Sequence, residues 1–75
     1  MVSRLETLLQ ELCTRRGWDP PVYALRANAG RTWYDCTVTV NGQKFKGERT
    51  RTEAKAKEVA AREAHQNLNV NNFWF

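Results

Sequence analysis

The sequence predicts an α+β domain of order α-β-β-β-α, a three-stranded antiparallel sheet with two helices packed on one face. Three observations predict it. Leu5, Leu8, Leu9, Leu12 and Cys13 form an apolar stripe at helical spacing near the start of the chain. A period-two stretch follows, folded about an Asn41-Gly42 turn. Ala56, Ala60, Ala64 and Leu68 then recur every fourth residue, flanked by Val59 and Ala61, and small residues on that face let a helix sit close on a sheet.

Each element has its own signals. Ser3-Arg4-Leu5-Glu6 has the form of a capping box, in which hydroxyl and carboxylate satisfy reciprocal N–H groups. Arg15 and Arg16 suit the negative end of the helix, Gly17 can take the left-handed stop, and Pro20-Pro21 lie beyond it, so the first helix covers residues 3–16. From Val22 the first strand turns Tyr23, Leu25 and Ala27 to one side and Arg26 to the other. Asn28-Ala29-Gly30-Arg31 reads as a turn. In the second strand Tyr34, Cys36, Val38 and Val40 alternate with Trp33, Asp35, Thr37 and Thr39. The third strand returns over Gln43 to Gly47 with Phe45 inward. The second helix starts near Thr50 or Thr52; either can cap, and Thr50-Arg51-Thr52-Glu53 has capping-box form. The folded domain then spans residues 3–68, and residues 69–75 form an aromatic C-terminal tail.

Seventy-five residues make one domain, close to the lower limit for a core without metal or disulfide help. With 41% apolar residues the chain is too apolar for a disordered tail. Lys44, Lys46, Arg49, Arg51, Lys55 and Lys57 face only Glu48 and Glu53 within residues 43–57, so this one segment carries +4, the net charge of the whole chain. A basic turn feeding a helix N-terminus is a natural seat for phosphate, because free N–H groups and the helix dipole both point at the anion. A polyanion binder is the first expectation.

Other chemistries lack their residues. Cys13 and Cys36 have no CxxC spacing and His65 is the only histidine, so four zinc ligands cannot be assembled; two reduced, half-buried thiols, a partly buried structural histidine, no metal and no cofactor are expected. A nuclease needs clustered carboxylates to hold magnesium, whereas Asp19, Asp35 and the glutamates read as scattered over loops and exposed helix faces. The chain is expected not to be an enzyme; if its parent is a ribonuclease, the catalytic domain lies outside these residues. With no long apolar run, a soluble intracellular protein, cytoplasmic or nuclear, is expected, with no membrane or small-molecule partner.

The order of elements and several stretches together resemble the double-stranded RNA-binding domain family over residues 3–68. Leu8-Leu9-Gln10-Glu11-Leu12, Gly17-Trp18 and Pro21-Val22-Tyr23 are similar to that family's first helix and the approach to its first strand. Val38-Thr39-Val40-Asn41-Gly42 is similar to its second strand and hairpin, and Ala56-Lys57-Glu58-Val59-Ala60-Ala61 to its second-helix core. The resemblance implies recognition of A-form RNA by shape, over two minor grooves and the major-groove phosphates between them.

Three regions would make those contacts. On the first helix, Thr7, Gln10, Glu11 and Thr14 fall on the outer side, where they can meet ribose 2′-hydroxyls; Gln10 and Glu11 match the family's contact positions. In the loop, the family has Gly-Pro-x-His; here Asn28 to Trp33 is shorter, Thr32 falls where the histidine would lie, Arg31 can touch a phosphate and Trp33 can pack on a ribose. At the second helix, the family pattern Lys-Lys-x-Ala-Lys falls on Glu53, Ala54, Lys55, Ala56 and Lys57 when the paired alanines are Ala60-Ala61. Only Lys57 keeps its place. Positions 53, 54 and 57 lie within about 100° of one another, whereas Lys55 sits about 150° from their centre. Glu53 suits the dipole but repels phosphate, and Arg49 and Arg51 stand just before the helix. Weak, salt-sensitive binding is expected, in a module of an RNA-processing or RNA-silencing protein.

A protein-interaction or dimerisation module with little RNA binding is the alternative. The first helix is also similar to the third, protein-binding domains of some RNA-silencing cofactors. The third strand, with Gln43 and Phe45, offers an edge that a second copy can pair with, although Lys44 and Lys46 blunt it. Phe73, Trp74 and Phe75 are costly to leave in water and suit a docking role.

Overall fold

The computed structural model describes residues 3–73, with side chains described for residues 3–68. Helix α1 is Arg4–Arg16. Its capping box forms as the sequence predicts: the Glu6 N–H donates to Ser3 Oγ at 3.2 Å, and the Ser3 N–H donates to Glu6 Oε2 at 3.0 Å. Gly17 closes the helix in the left-handed region at φ 70°, and the Trp18 N–H reaches back to the Cys13 carbonyl at 2.9 Å.

Strands β1 (Val22–Ala27), β2 (Tyr34–Val40) and β3 (Gln43–Lys46) form one antiparallel sheet in the order β1-β2-β3. Asn41 (φ 50°) and Gly42 (φ 81°) are both left-handed, as a two-residue hairpin whose twist matches its strands requires. The register pairs Tyr23 with Val38, Leu25 with Cys36 and Val38 with Phe45, so one face is apolar across all three strands.

Helix α2 is Glu53–Phe73, and its backbone therefore continues through residues 69–73, the first part of the stretch expected as a tail. The side chains of Phe73, Trp74 and Phe75 lie outside the described residues. Of the two candidate caps, Thr52 acts: the Lys55 N–H donates to its Oγ1 at 3.1 Å. The capping box starting at Thr50 does not form. Thr50 is tied to the sheet by two backbone bonds with Tyr34, at 2.7 and 2.8 Å, and its hydroxyl donates to the Thr52 carbonyl. A residue held in an extended bridge cannot also open the helix, so Glu53 is the first helical residue rather than the third.

One core joins Leu9, Leu12 and Cys13 of α1, Cys36, Val38 and Val40 of β2, and Ala56, Ala60, Ala61, Ala64 and Leu68 of α2. The alanine face brings α2 very close to the sheet where β3 ends. A Cβ at Gly47 would lie 2.8 Å from the Ala60 nitrogen and 3.2 Å from its Cα, and both are backbone atoms that cannot swing aside. The Gly47 N–H also extends the ladder to the Cys36 carbonyl at 3.0 Å, although β3 itself ends at Lys46, one residue earlier than expected. Both cysteines are free and fully buried rather than half-buried, and burial pushes both thiols up, which keeps them protonated and inert at neutral pH.

Asp35 departs from expectation. The sequence reading put it among scattered, exposed carboxylates, yet it is only 2% exposed, on the sheet face away from the helices. The register sets Arg26 directly opposite, and Arg26 Nε and Nη2 donate to its two oxygens, both at 3.3 Å; Lys46 Nζ lies at 3.9 Å. These cations are themselves exposed, so they form a thin lid rather than a deep interior. Hydrogen bonds from Arg26 hold the carboxyl below its usual range; the nearby charges of Arg26, Lys46 and Arg49 act the same way, against desolvation.

Candidate nucleic-acid interface

Thr7, Gln10, Glu11 and Thr14 are all exposed and line one shallow strip along α1, as their spacing predicts. Arg15 joins them, a residue the sequence reading assigned only to the helix dipole. The hydroxyls of Thr7 and Thr14 donate to the carbonyls of Ser3 and Gln10, at 3.2 and 3.0 Å. Their protons are thus engaged, and toward a ligand these two oxygens act as acceptors. The strip therefore offers threonine and carboxylate acceptors, the two-way amide of Gln10 and one cation. That suits hydroxyl groups better than a bare row of phosphates.

The connection between β1 and β2 is held by one side chain. Asn28 Oδ1 accepts the N–H groups of Thr32 (2.8 Å) and Trp33 (3.2 Å), and Asn28 Nδ2 donates to Thr32 Oγ1 at 2.7 Å. The Arg31 N–H donates to the Asn28 carbonyl at 3.0 Å, closing the expected turn. Arg31 pays for that turn with a left-handed backbone at φ 54°, a conformation unfavourable for a side chain of its kind. The loop is short and internally bonded, and Thr32 is held to it.

Two depressions flank this loop. One is lined by Arg26, Asn28, Arg31, Tyr34 and Glu53, among others. Arg26 is committed to Asp35 there, and the Glu53 carboxylate lines the same depression as Arg31. The other is lined by Thr32, Trp33, Arg49, Thr50 and Arg51, and holds no carboxylate. Arg49 stacks its guanidinium over the Trp33 ring, 4.4 Å from the centroid. The fold thus brings Thr32, Arg49 and Arg51 to one depression, sets Arg31 on another that Glu53 also lines, and leaves Lys57 in neither group.

At the start of α2, Glu53 and Ala54 are exposed, and Lys57 is half-buried with its charge felt at the Cys36 thiol. Lys55 points elsewhere, as its angular position requires, and its Nζ pairs with Glu58 at 3.2 Å. Gln43 and Phe45 lie on β3, which has no partner strand beyond it among the described residues, and Phe45 is half-buried against the core. No group of three or more potential metal ligands and no helix long and apolar enough to cross a membrane occurs among the described residues.

Sequence reasoning missed the Arg49–Trp33 stack and the Arg26–Asp35 pair. Both join residues far apart in sequence, and only the strand register could have revealed the second. Asn28 was legible in principle, since an asparagine opening a turn commonly bonds the backbone ahead of it.

The family model for the double-stranded RNA binding motif matches residues 7–68. No curated protein sequence matches the chain. Among solved structures, the second dsRBD of HYL1 is 31% identical, with a TM-score of 0.71 over 87% of this chain and 97% of that one. HYL1 is an Arabidopsis protein whose structure bears on miRNA processing. The second dsRBD of DRB4 is 26% identical, with a TM-score of 0.72 over 89% of this chain and 97% of that one. The dsRBD of a tRNA-dihydrouridine(20) synthase shares the fold at 22% identity, with a TM-score of 0.80 over 91% of this chain and 72% of that one. A helix-sheet-helix domain with this profile over most of its length is a member of the double-stranded RNA binding motif family.

Proposed function

We propose that the domain binds double-stranded RNA by A-form shape and phosphate contacts, with lower affinity than a member carrying the full lysine pattern, and that it serves as a binding module, not a catalyst. The observation that carries the reading is the first turn of α2. Glu53 and Ala54 stand exposed where lysines would meet phosphates, Lys55 is paired with Glu58, and only Lys57 keeps its place. Loss of two phosphate contacts lowers the salt slope by about 1.8, taking about 0.9 per contact from B-DNA.

The remaining contacts in this reading are hydroxyl recognition by Thr7, Gln10, Glu11 and Thr14, and phosphate contacts by Arg31, Thr32, Arg49, Arg51 and Lys57. The binding domain takes in residues 3–68, and the backbone of α2 carries on past it through residues 69–73. Likeness to HYL1, whose structure bears on miRNA processing, supports a place in an RNA-silencing or RNA-processing protein. The test is an anisotropy titration with a 20-bp RNA duplex: binding at low micromolar protein that weakens with salt, on a slope shallower than the full lysine pattern would give, is expected.

The open β3 edge favours a second reading, protein docking or dimerisation through Gln43, Phe45 and the aromatic residues Phe73, Trp74 and Phe75. Antiparallel self-pairing centred on Phe45 sets Lys44 opposite Lys46, and like charges directly opposite are destabilising. A partner strand there would have to bring acidic residues. Absence of RNA binding, together with a dimer by light scattering, would favour this second reading.

A further inference from the structure

We propose that Trp33, Arg49 and Arg51 form a preorganised phosphodiester clamp that offsets part of the loss of the lysines missing at α2. It rests on the RNA-binding reading above and adds to it a seat and a positioning residue. The two depressions beside the β1–β2 loop differ in charge. In the first, Arg26 is spent on Asp35, and Glu53 lies with Arg31. In the second, Arg49 and Arg51 line the wall with Thr32 and Thr50 and no carboxylate lines it, although the charge of Arg49 is also felt at Asp35. An anion at this end of the domain is drawn more strongly to the second, where no carboxylate opposes the two arginines, than to the first, where Glu53 weakens the pull of Arg31.

The geometry of Arg49 fits the task. Its guanidinium lies 4.4 Å from the Trp33 ring centroid and makes no ion pair among the described residues. Seating over an indole face restrains the guanidinium at the wall of the depression, where its N–H groups can donate to a phosphate. The two Thr50–Tyr34 backbone bonds anchor the turn between Arg49 and Arg51, so neither arginine sits on a free loop. Trp33 is itself anchored, through its N–H, to Asn28. Trp33 is therefore a positioning residue, and Arg49 and Arg51 are the contacts.

The test measures Kd for a 20-bp RNA duplex at several salt concentrations, with each variant's fold checked by circular dichroism. Arg49→Gln and Arg51→Gln should each lower the salt slope by about 0.9, with RNA taken as similar to B-DNA. Arg16→Gln is the matched control, because Arg16 also stacks on a tryptophan, Trp18 at 5.3 Å, but lies outside the clamp; it should leave the slope unchanged. Trp33→Leu deletes no charge yet should weaken binding several-fold, and Trp33→Phe should restore most of it. If Trp33→Leu fails to fold, Arg49→Lys decides, keeping the slope but losing affinity. Wild-type binding that Arg49→Gln and Arg51→Gln alter no more than Arg16→Gln does would overturn the clamp while leaving the RNA reading intact. A wild-type domain that does not bind RNA would overturn both.

Discussion

Glu53→Lys should make the domain less stable and a better RNA binder at once. Glu53 is the first residue of α2, exposed, in the positive end of the helix dipole. A carboxylate there stabilises the helix by about 0.3–1 kcal/mol, and a lysine reverses the sign, so the change costs about 0.6–2 kcal/mol. For a chain of this size each kcal/mol moves Tm by about 4–8 °C, giving a fall of about 2–16 °C. For RNA, the substitution removes a repulsive charge beside Arg31 and restores a cation at the phosphate register. One charge-assisted contact of about 1.5 kcal/mol raises affinity about tenfold at low salt. The salt slope should steepen by about 0.9, or about 3.5-fold extra weakening between 50 and 200 mM salt. Thermal melts and anisotropy titrations on the same preparation read both effects. Glu53→Gln separates repulsion from contact, because it should improve binding modestly without a steeper slope. A Glu53→Lys variant with unchanged Kd and slope would show that the first turn of α2 is not at the phosphates.

Lys57→Ala should weaken RNA binding about tenfold and lower the salt slope by about 0.9, measured by the same titration. Gly47→Ala should destabilise the domain by about 1–3 kcal/mol, because the added Cβ meets the Ala60 backbone; a urea melt with an unchanged midpoint would refute the close approach. Asp35 has a folded pKa below its unfolded value near 3.8, so its contribution to stability is present above that pH and fades as pH falls through the folded value. Wild-type Tm should therefore drop more steeply below about pH 4 than that of Asp35→Asn, and parallel curves would contradict the Arg26–Asp35 account.

Local signals predicted the fold well because each element carries its own physics. The Ser3–Glu6 box, the Gly17 stop, the Asn41-Gly42 turn and the i+4 alanines all act over a few residues, and all appear in the structure. The α1 strip was legible for the same reason, since helical spacing fixes which side chains share a face. Thr50 misled because capping-box form is a local pattern and its bridge to Tyr34 is a tertiary contact. Asp35 misled because alternation assigns a face, not a degree of burial; the lid of Arg26 and Lys46 comes from neighbouring strands. The Arg49–Trp33 stack joins two loops that no spacing rule connects.

Titration of one 20-bp sequence as an RNA duplex and as a DNA duplex, at two salt concentrations, separates recognition of A-form RNA from attraction to any polyanion. Shape recognition with α1 acceptors facing ribose hydroxyls predicts RNA binding at low micromolar protein, a clear preference over DNA, and a shallower salt slope than a full set of helix lysines would give. Equal binding to both duplexes would reduce the domain to a general polyanion binder. No binding to RNA at the lower salt concentration would contradict the account outright.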